Sequence, residues 1–343
     1  MAAPPKRDTR WVRNGPINLG SFSTIFLCTN LENNKKFVAK TVMAHDLEQR
    51  TSIEVERRLY KGPQPIDYHY FPKYLGFNLE KQCREMGNVD VCNLFLEWVP
   101  RGSILQMMER QKGNLKEGIC AVFCRDILKA LVYLHGQGKV HGDIKASNIL
   151  LGMENLKLCD LGSGKVVADG DVLLPPKRGW DPLRKRIYTT GTDGWRAPEV
   201  ADEIEQLPPS DIYSVGCTLV EMATGAPPQK VPRIYFAENP ADVDPETGYR
   251  RASLDLPCEF SDPCRQFMEA CLAQHPKDRP TAAELLEHPW FKSIPLVYPV
   301  PVQRTRGILK NFWGLEPFPL SSQAGLNNME NAKTGVQICY STS

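Results

Sequence analysis

The sequence predicts an α+β protein with two lobes, a small lobe built on an antiparallel β-sheet with one helix and a large lobe that is mainly helical. The 343 residues of the chain exceed the usual size of one hydrophobic core. Short β-prone segments and a turn-forming cluster dominate residues 14–42. After Gly102 the pattern changes to the apolar spacing that is typical of helices.

Composition excludes several classes of protein. Hydrophobic residues make up 42% and charged residues 24% of the chain, which are ordinary values for a folded globular protein. The net charge of +2 gives no reason to expect a nucleic-acid partner, and no stretch reaches the roughly 18 consecutive apolar residues of a membrane helix. The 11 cysteines are scattered through apolar runs and the start lacks a hydrophobic signal segment, so we expect a reducing compartment, the cytoplasm or the nucleus.

The small lobe is expected over residues 12–99, after a polar N-terminal arm of little structure over residues 1–11. Alternating and helical patterns predict two strands around a turn, then a helix, then a strand that ends at Pro100. These elements are expected at residues 24–29, 36–42, 45–60 and 93–99.

The large lobe is expected over residues 100–293. Its longest predicted helix covers residues 118–135, where apolar residues recur on one face. Further helices are expected at residues 211–224, 263–273 and 281–286. Prolines and polar residues recur without periodicity over residues 294–343, which predicts a C-terminal extension of low order.

Two motifs carry the strongest chemical signal. The run HGDIKASNILL begins at His141, and CDLGSG follows it at Cys159. Together they resemble the catalytic loop and the metal-binding motif of the protein kinase family. The alternative is a turn-rich connection between two strands. Phosphoryl transfer needs a carboxylate near the attacking hydroxyl, a cation, and oxygen ligands for a metal. The resemblance implies that these functions belong to the catalytic base Asp143, the γ-phosphate contact Lys145, and the metal ligands Asn148 and Asp160, with His141 and Leu161 as structural neighbours.

A strand lysine fits the same family. FVAKTV places Lys40 on a predicted strand and matches the family motif V-A-I-K. The resemblance implies that Lys40 holds the α and β phosphates and needs a glutamate partner from the next helix. That helix offers Glu48, Glu54 and Glu56, and we choose Glu56 because Tyr60, four residues later, supplies the apolar or aromatic residue expected to face the core.

The glycine-rich loop is the weakest match. The family pattern G-x-G-x-x-G-x-V aligns with residues 18–25, but only the central Gly20 is kept, so a plain hairpin is the alternative. In the resemblance, Ile25, Ala39 and Leu150 enclose adenine, and residues 96–99 form the hinge with Leu96 as gatekeeper. The full set of implied ATP contacts is Asn18, Leu19, Gly20, Ser21, Phe22, Ser23, Ile25, Ala39, Lys40, Leu96, Glu97, Val99 and Leu150.

The segment GTDGWRAPEV, at residues 191–200, resembles the end of the family's activation segment. The resemblance implies structural roles for Glu199, for its partner Arg279, and for Asp211, which ties the catalytic loop to the following helix. Thr192 and Lys145 match serine/threonine kinases better than tyrosine kinases.

The catalytic loop departs from the family at Gly142, where an arginine is usual. This change removes the cation that commonly binds the phosphate of a phosphorylated activation loop. We therefore expect activity not to depend strictly on phosphorylation of Thr189, Thr190 or Thr192. The loop is then ordered by its own packing or by a regulatory protein partner. Leu161 replaces a phenylalanine and stays apolar. The basic stretch at residues 177–186 is either a solvated loop or a docking patch.

These observations predict a serine/threonine protein kinase that uses ATP and Mg²⁺ and acts on protein substrates. The missing glycines and Gly142 keep open a pseudokinase that serves as a nucleotide-binding scaffold, and a small-molecule kinase is a further alternative. The subfamily stays unassigned, although HGDIKASNILL and EWVPRGS resemble kinases that act on other kinases.

Overall fold

The computed structural model describes most of residues 10–294, and it contains both expected lobes. The described residues are 10–20, 23–62, 65–167, 191–201, 206–228, 235–236, 252–253, 256–257 and 259–294. The predicted extension at residues 294–343 and the basic stretch at residues 177–186 therefore fall outside this set, apart from Ile294.

The small lobe is a five-stranded antiparallel sheet with the strand order β1-β2-β3-β5-β4. Its strands are β1 (Trp11–Leu19), β2 (Thr24–Asn30), β3 (Lys36–Met43), β4 (Tyr74–Cys83) and β5 (Val89–Glu97). The central position of β3 matters for function, because it fixes Lys40 between two neighbouring strands.

Helix α1 (Leu47–Lys61) belongs to the small lobe and begins at a well-formed cap. The Asp46 carboxylate accepts hydrogen bonds from the backbone N–H groups of Glu48 and Gln49, which satisfies two donors that a helix start leaves open. This cap fixes the helix start two residues later than His45, the start predicted from the sequence.

The large lobe is organised around two long helices, α3 (Glu117–Gly136) and α5 (Pro208–Thr224). Every residue of α5 from Ser210 to Ala223 is buried, as expected for a helix enclosed on all sides. The other helices are α2 (Ile104–Gln111), α4 (Pro198–Ala201), α6 (Asp262–Cys271), α7 (Ala282–Leu286) and α8 (Trp290–Ser293).

Three pairs of short antiparallel strands complete the described structure. They are β6 (Lys139–Val140) with β9 (Lys165–Val166), β7 (Ile149–Leu151) with β8 (Leu156–Leu158), and β10 (Tyr235–Phe236) with β11 (Ala252–Ser253). The first two pairs flank the catalytic loop and the metal-binding motif and so hold both in place. Within the described part of the chain, no helix has the length and apolar character needed to cross a bilayer.

Three of the longer elements of the fold were not predicted individually. They are the strands β1 and β4 and the helix α2. Trp11 belongs to β1, so the arm predicted over residues 1–11 extends one residue into the first strand. Strand β1 contains Gly15 and Pro16 and has two register shifts, which hide its alternation, and an edge strand tolerates such a proline. Strand β5 ends at Glu97, two residues before the predicted end at Val99.

Candidate active site

Lys40 lies at the centre of a cluster of three charges, in which Lys40 and Glu56 are buried and Asp160 is partly exposed. From β3, its Nζ donates to Glu56 Oε2 on α1 at 2.6 Å and to Asp160 Oδ1 at 2.7 Å. The predicted choice of Glu56 therefore matches the observed pairing, while Glu54 pairs with Arg57 on the same helix. The cluster joins the small lobe to the metal-binding motif.

The protonation of this cluster follows from its burial and its charges. Burial opposes the charge of Lys40, but Asp160 and Glu56 outweigh it and raise the pKa of Lys40. Burial likewise opposes ionisation of Asp160, but the charge and hydrogen bond of Lys40 lower the pKa of Asp160 to about 2. Burial raises the pKa of Glu56, and Lys40 offsets part of that effect. Lys40 is therefore charged and Asp160 ionised near neutral pH.

Asp211 on helix α5 anchors the catalytic loop through hydrogen bonds to its backbone. Asp211 accepts hydrogen bonds from the backbone N–H groups of His141 and Gly142, at 2.9 and 2.8 Å. The His141 ring is fully buried and lies between the Asp143 N–H, at 3.2 Å, and the Cys159 carbonyl, at 3.1 Å. Burial lowers the pKa of His141. A neutral ring that accepts at Nδ1 and donates at Nε2 ties the catalytic loop to the metal-binding motif.

Asp143 lies within hydrogen-bond reach of three side chains. Its Oδ2 is 2.8 Å from Lys145 Nζ and accepts from Asn148 Nδ2 at 2.8 Å, and its Oδ1 accepts from the Thr192 hydroxyl at 2.7 Å. Lys145 Nζ also contacts the Thr192 oxygen. Thr192 thus brings the end of the activation segment onto the two catalytic-loop residues.

Asn148 and Asp160 have the donor chemistry that a hard divalent cation requires. The Asn148 amide nitrogen is engaged by the carbonyl and the carboxylate of Asp143, which leaves the amide oxygen as the ligand atom. Asp160 is ionised, adopts the left-handed backbone region with φ of 66°, and keeps 42% of its side chain exposed. Two oxygen donors from these residues fit a site for a divalent cation that retains water ligands.

Comparison with known proteins gives one consistent result. A family model for the protein kinase domain matches residues 11–291. The chain belongs to the protein kinase family. It is 30% identical over 302 residues to mitogen-activated protein kinase kinase kinase 17 of Arabidopsis thaliana, covering 88% of this chain and 74% of that protein.

Two further relatives match over a smaller share of their own length. Mitogen-activated protein kinase kinase kinase ANP1 of Arabidopsis thaliana is 31% identical, covering 84% of this kinase and 40% of that protein. A probable serine/threonine-protein kinase of Dictyostelium discoideum is 31% identical, covering 80% of this kinase and 39% of that protein. This kinase thus spans about two fifths of both relatives. Its catalytic domain is that of a serine/threonine protein kinase, an ATP-dependent transferase with protein substrates.

The prediction that Ala39 contacts ATP is wrong. Ala39 is fully buried in a cluster with Phe26 and Cys28. Side chains alternate along a strand, so the residue next to Lys40 faces away from the cleft that Lys40 faces. Val38, two residues before Lys40 and paired with Leu96 on β5, lies on the same face of the sheet as Lys40, whereas Ala39 does not.

The other predicted ATP contacts that the structure describes lie on or beside the strands β1, β2, β3, β5 and β7 or in the turn between β1 and β2, and their roles stay predictions. Ile25 pairs with Lys40 across β2 and β3, Leu150 lies on β7, and Glu97 ends β5. Gly20 closes a tight turn in which its N–H donates to the Ser23 carbonyl at 2.8 Å. Asn18, Leu19, Leu96 and Val99 are in the described ranges as well, whereas Ser21 and Phe22 lie outside them.

Of the residues predicted to be structural, Thr192 is half-buried and the others, which are His141, Leu161, Glu199, Asp211 and Arg279, are buried. Arg279 Nη1 and Nη2 donate to the two Glu199 oxygens at 2.6 and 2.9 Å, which is the expected bidentate pair. Leu161 is fully buried in the 3₁₀ turn Leu161–Ser163, which contacts α1.

One residue with a clear place in the site was missed from the sequence. Glu221 on α5 accepts hydrogen bonds at Oε2 from the Ala146 N–H and from Trp195 Nε1, both at 3.0 Å. It therefore links the catalytic loop to the end of the activation segment. A glutamate in the mostly apolar run from Val215 to Ala223 was the available signal, since a buried carboxylate needs partners.

Proposed function

We propose that this chain transfers the γ-phosphoryl group of MgATP to serine or threonine in another protein kinase, of the mitogen-activated protein kinase kinase class. The names of its relatives support this substrate class, as does the catalytic-loop sequence that begins at His141. The observation that carries the chemistry is the convergence of Asp143, Lys145, Asn148 and Thr192 within hydrogen-bond distance. A regulatory protein partner and a cytoplasmic or nuclear location are part of the proposal.

Each of these residues has a distinct task in phosphoryl transfer. The Asp143 carboxylate, which already accepts a hydroxyl hydrogen bond from Thr192, orients the substrate hydroxyl and takes its proton. Lys145, 2.8 Å from Asp143, balances negative charge on the group in transfer. Lys40 is held at its position by Glu56, so its ammonium is preorganised for the α and β phosphates.

Mg²⁺ would be held by the Asn148 amide oxygen and the Asp160 carboxylate, and it would neutralise charge on the phosphates. Asp160 suits this role because Lys40 keeps it ionised without covering the whole carboxylate. Lys40 and the metal would therefore use the same Asp160 carboxylate, so the metal would supply its charge near the phosphates that Lys40 is proposed to bind.

Phosphate transfer to a catalytically inactive mitogen-activated protein kinase kinase tests the proposal. Asp143→Asn should lower turnover roughly a hundredfold or more, since a catalytic group is removed at the reacting hydroxyl. Asp90→Asn, which removes an exposed carboxylate from the small lobe, should leave turnover unchanged.

Three outcomes would contradict different parts of the proposal. Unchanged turnover in Asp143→Asn would refute the site. Transfer to a general substrate such as casein, without transfer to the kinase substrate, would refute only the substrate class. Replacing Mg²⁺ by Ca²⁺ or adding a chelator should stop transfer, and full activity in a chelator would refute the metal.

A further inference from the structure

Gly142 is a glycine because its backbone leaves no room for a side chain. Its φ is +79°, in the left-handed region that side-chain-bearing residues rarely adopt. A Cβ atom there would lie 2.5 Å from the Ser163 carbonyl oxygen and would overlap the Gln206 amide nitrogen. The space in front of Gly142 is therefore filled by another residue of the same chain.

Gln206 is the residue that fills this space. It lies two residues before α5, and its Nε2 donates to the Ser163 carbonyl at 3.1 Å. Ser163 ends the 3₁₀ turn that follows the metal-binding Asp160. One neutral amide thus crosses the catalytic loop and joins the chain before α5 to the segment that positions Asp160.

The backbone at Gly191 also approaches Gly142 closely. A Cβ atom on Gly191 would lie 2.7 Å from the Gly142 carbonyl oxygen, and Gly191 has a φ of +84°. The Gly191 carbonyl accepts from Arg196 Nη2 at 2.9 Å, and the next residue is Thr192. The close backbone approach at Gly142 therefore also fixes the start of the segment that delivers Thr192 to Asp143.

We propose that Gln206 is a positioning residue for phosphoryl transfer, and that its contact across Gly142 holds the Asp160 and Thr192 segments against the catalytic loop without a phosphate. The proposal rests on the proposed function of the site and adds how that site is kept in order. The connection carries no charge, so nothing in it waits for an anion. It occupies the place where other family members carry the loop arginine.

Two substitutions by side chains of similar length distinguish the effect of the Gln206 hydrogen bond from the effect of its packing. Gln206→Met keeps the length but cannot donate, and Gln206→Glu keeps the shape but places a carboxylate against the Ser163 carbonyl. Variants of Gly142 are avoided, because any Cβ there meets the Ser163 backbone. Gln266→Glu on the exposed face of α6 is the matched control for the change in charge.

Both Gln206 variants should lower kcat about three- to tenfold, with the KM for ATP within about twofold of wild type and the melting temperature nearly unchanged. Gln266→Glu should leave all three unchanged. These values are to be measured after phosphatase treatment, on the kinase substrate and on casein. A wild type that acts only on casein would refute the substrate class and leave the role of Gln206 testable.

The pH profile gives a readout that a purely structural residue would not produce. In Gln206→Glu, the introduced carboxyl group regains a donor when it is protonated. The activity of this variant relative to wild type should therefore rise as pH falls from 8 to 6, while that of Gln206→Met should stay constant. Among the described residues, the ionisable groups around the loop include His135, His141, Asp143, Lys145, Asp160, Arg196, Asp211 and Glu221. All of them are retained in every variant, so their own titrations enter the variant and the wild type alike. An unchanged kcat in both variants, or identical flat profiles, would overturn the proposal.

Discussion

Two buried ion pairs hold this kinase together, and they differ in how completely their partners are satisfied. In the large lobe, all five N–H donors of Arg279 are used: two by Glu199, and the others by three backbone carbonyls. Those carbonyls belong to Pro209, Ala273 and Gln274. In the other pair, Lys40 is shared between Glu56 and Asp160. The second Glu56 oxygen lies near the Leu161 N–H but receives no hydrogen bond of ordinary geometry from the described residues.

The difference separates a pair that supports the fold from a pair that supports chemistry. The guanidinium of Arg279 also lies 4.9 Å from the centre of the Tyr213 ring, so it has no capacity left for a ligand. Lys40 contacts a carboxylate that stays 42% exposed. We call the Glu199–Arg279 pair closed, because all its donors are used within the fold, and the Lys40 pair open, because its Asp160 partner is partly exposed. The closed pair supports the fold, whereas the lysine of the open pair can also contact a phosphate.

The largest effect is expected at the closed pair. Arg279→Met removes the only cation that pairs with Glu199 among the described residues and leaves a buried carboxylate, which should lower the free energy of unfolding by about 3–5 kcal/mol. Urea unfolding measures this. Lys292→Met, which breaks an exposed pair with Glu287, should change it by less than about 1 kcal/mol. An equal change in the free energy of unfolding in the two variants would show that burial and full hydrogen bonding of the Glu199–Arg279 pair do not contribute to stability.

Glu221 is a further buried carboxylate, and its hydrogen-bond partners are neutral donors, in contrast to Glu199 and Glu56, which pair with cations. Burial raises its pKa from 4.5 to about 7, although the hydrogen bonds from Ala146 and Trp195 and the charge of Lys145 lower it. Between these values the folded chain keeps a proton that the unfolded chain has lost, so the free energy of unfolding falls as pH rises from about 4.5 to 7.

Glu221→Gln stays neutral and keeps an oxygen acceptor. Relative to wild type, it should gain stability between pH 5 and pH 8, by on the order of 3 kcal/mol. Urea unfolding of both proteins at the two pH values measures the change. A difference between variant and wild type that is the same at both values would contradict the raised pKa.

The chemistry of the site could be predicted from sequence because it depends on motifs with fixed spacing. Asp143, Lys145 and Asn148 lie on one short loop, so their relative positions follow from local geometry. The choice of Glu56 over Glu54 followed from helical spacing to Tyr60, and the structure shows the same pairing. The helices were predicted well wherever apolar periodicity was strong, as in α3.

The failures have physical causes of two kinds. Ala39 was assigned to the cleft although strand alternation turns it into the core, an error that the sequence itself could have revealed. The reason for Gly142 could not have been found in this way, because it depends on the approach of Ser163, Gly191 and Gln206, which are distant in sequence. Strands β1 and β4 lie at the sheet edges, where pairing with a neighbour outweighs weak local patterns.

A smaller effect is expected at the open pair. Glu56→Gln removes the charge that fixes Lys40 but leaves Asp160 as a partner, so stability should change little. The value of kcat/KM should fall about tenfold to a hundredfold, which corresponds to about 1.4–2.7 kcal/mol. Glu54→Gln, two residues away on α1 and paired with Arg57, is the matched control and should keep wild-type activity. Loss of activity in the control instead would mean that the register of α1 differs in the active enzyme.

The smallest effect is expected from removing phosphate. Thr189 and Thr190 lie outside the described residues, so this prediction rests on the loop that they would regulate. Gly142 has no charge that requires an anion, and the Gln206 contact with Ser163 is complete without one. Phosphatase treatment and the double variant Thr189→Ala/Thr190→Ala should therefore each leave kcat within about twofold of untreated wild type. Thr192→Ala should lower kcat for a different reason, because its hydroxyl contacts Asp143 and Lys145 directly. Abolition of activity by both dephosphorylation and the double variant, with the fold intact, would mean that a basic group elsewhere receives a phosphate, and the neutral connection at Gly142 would then be insufficient to order the site.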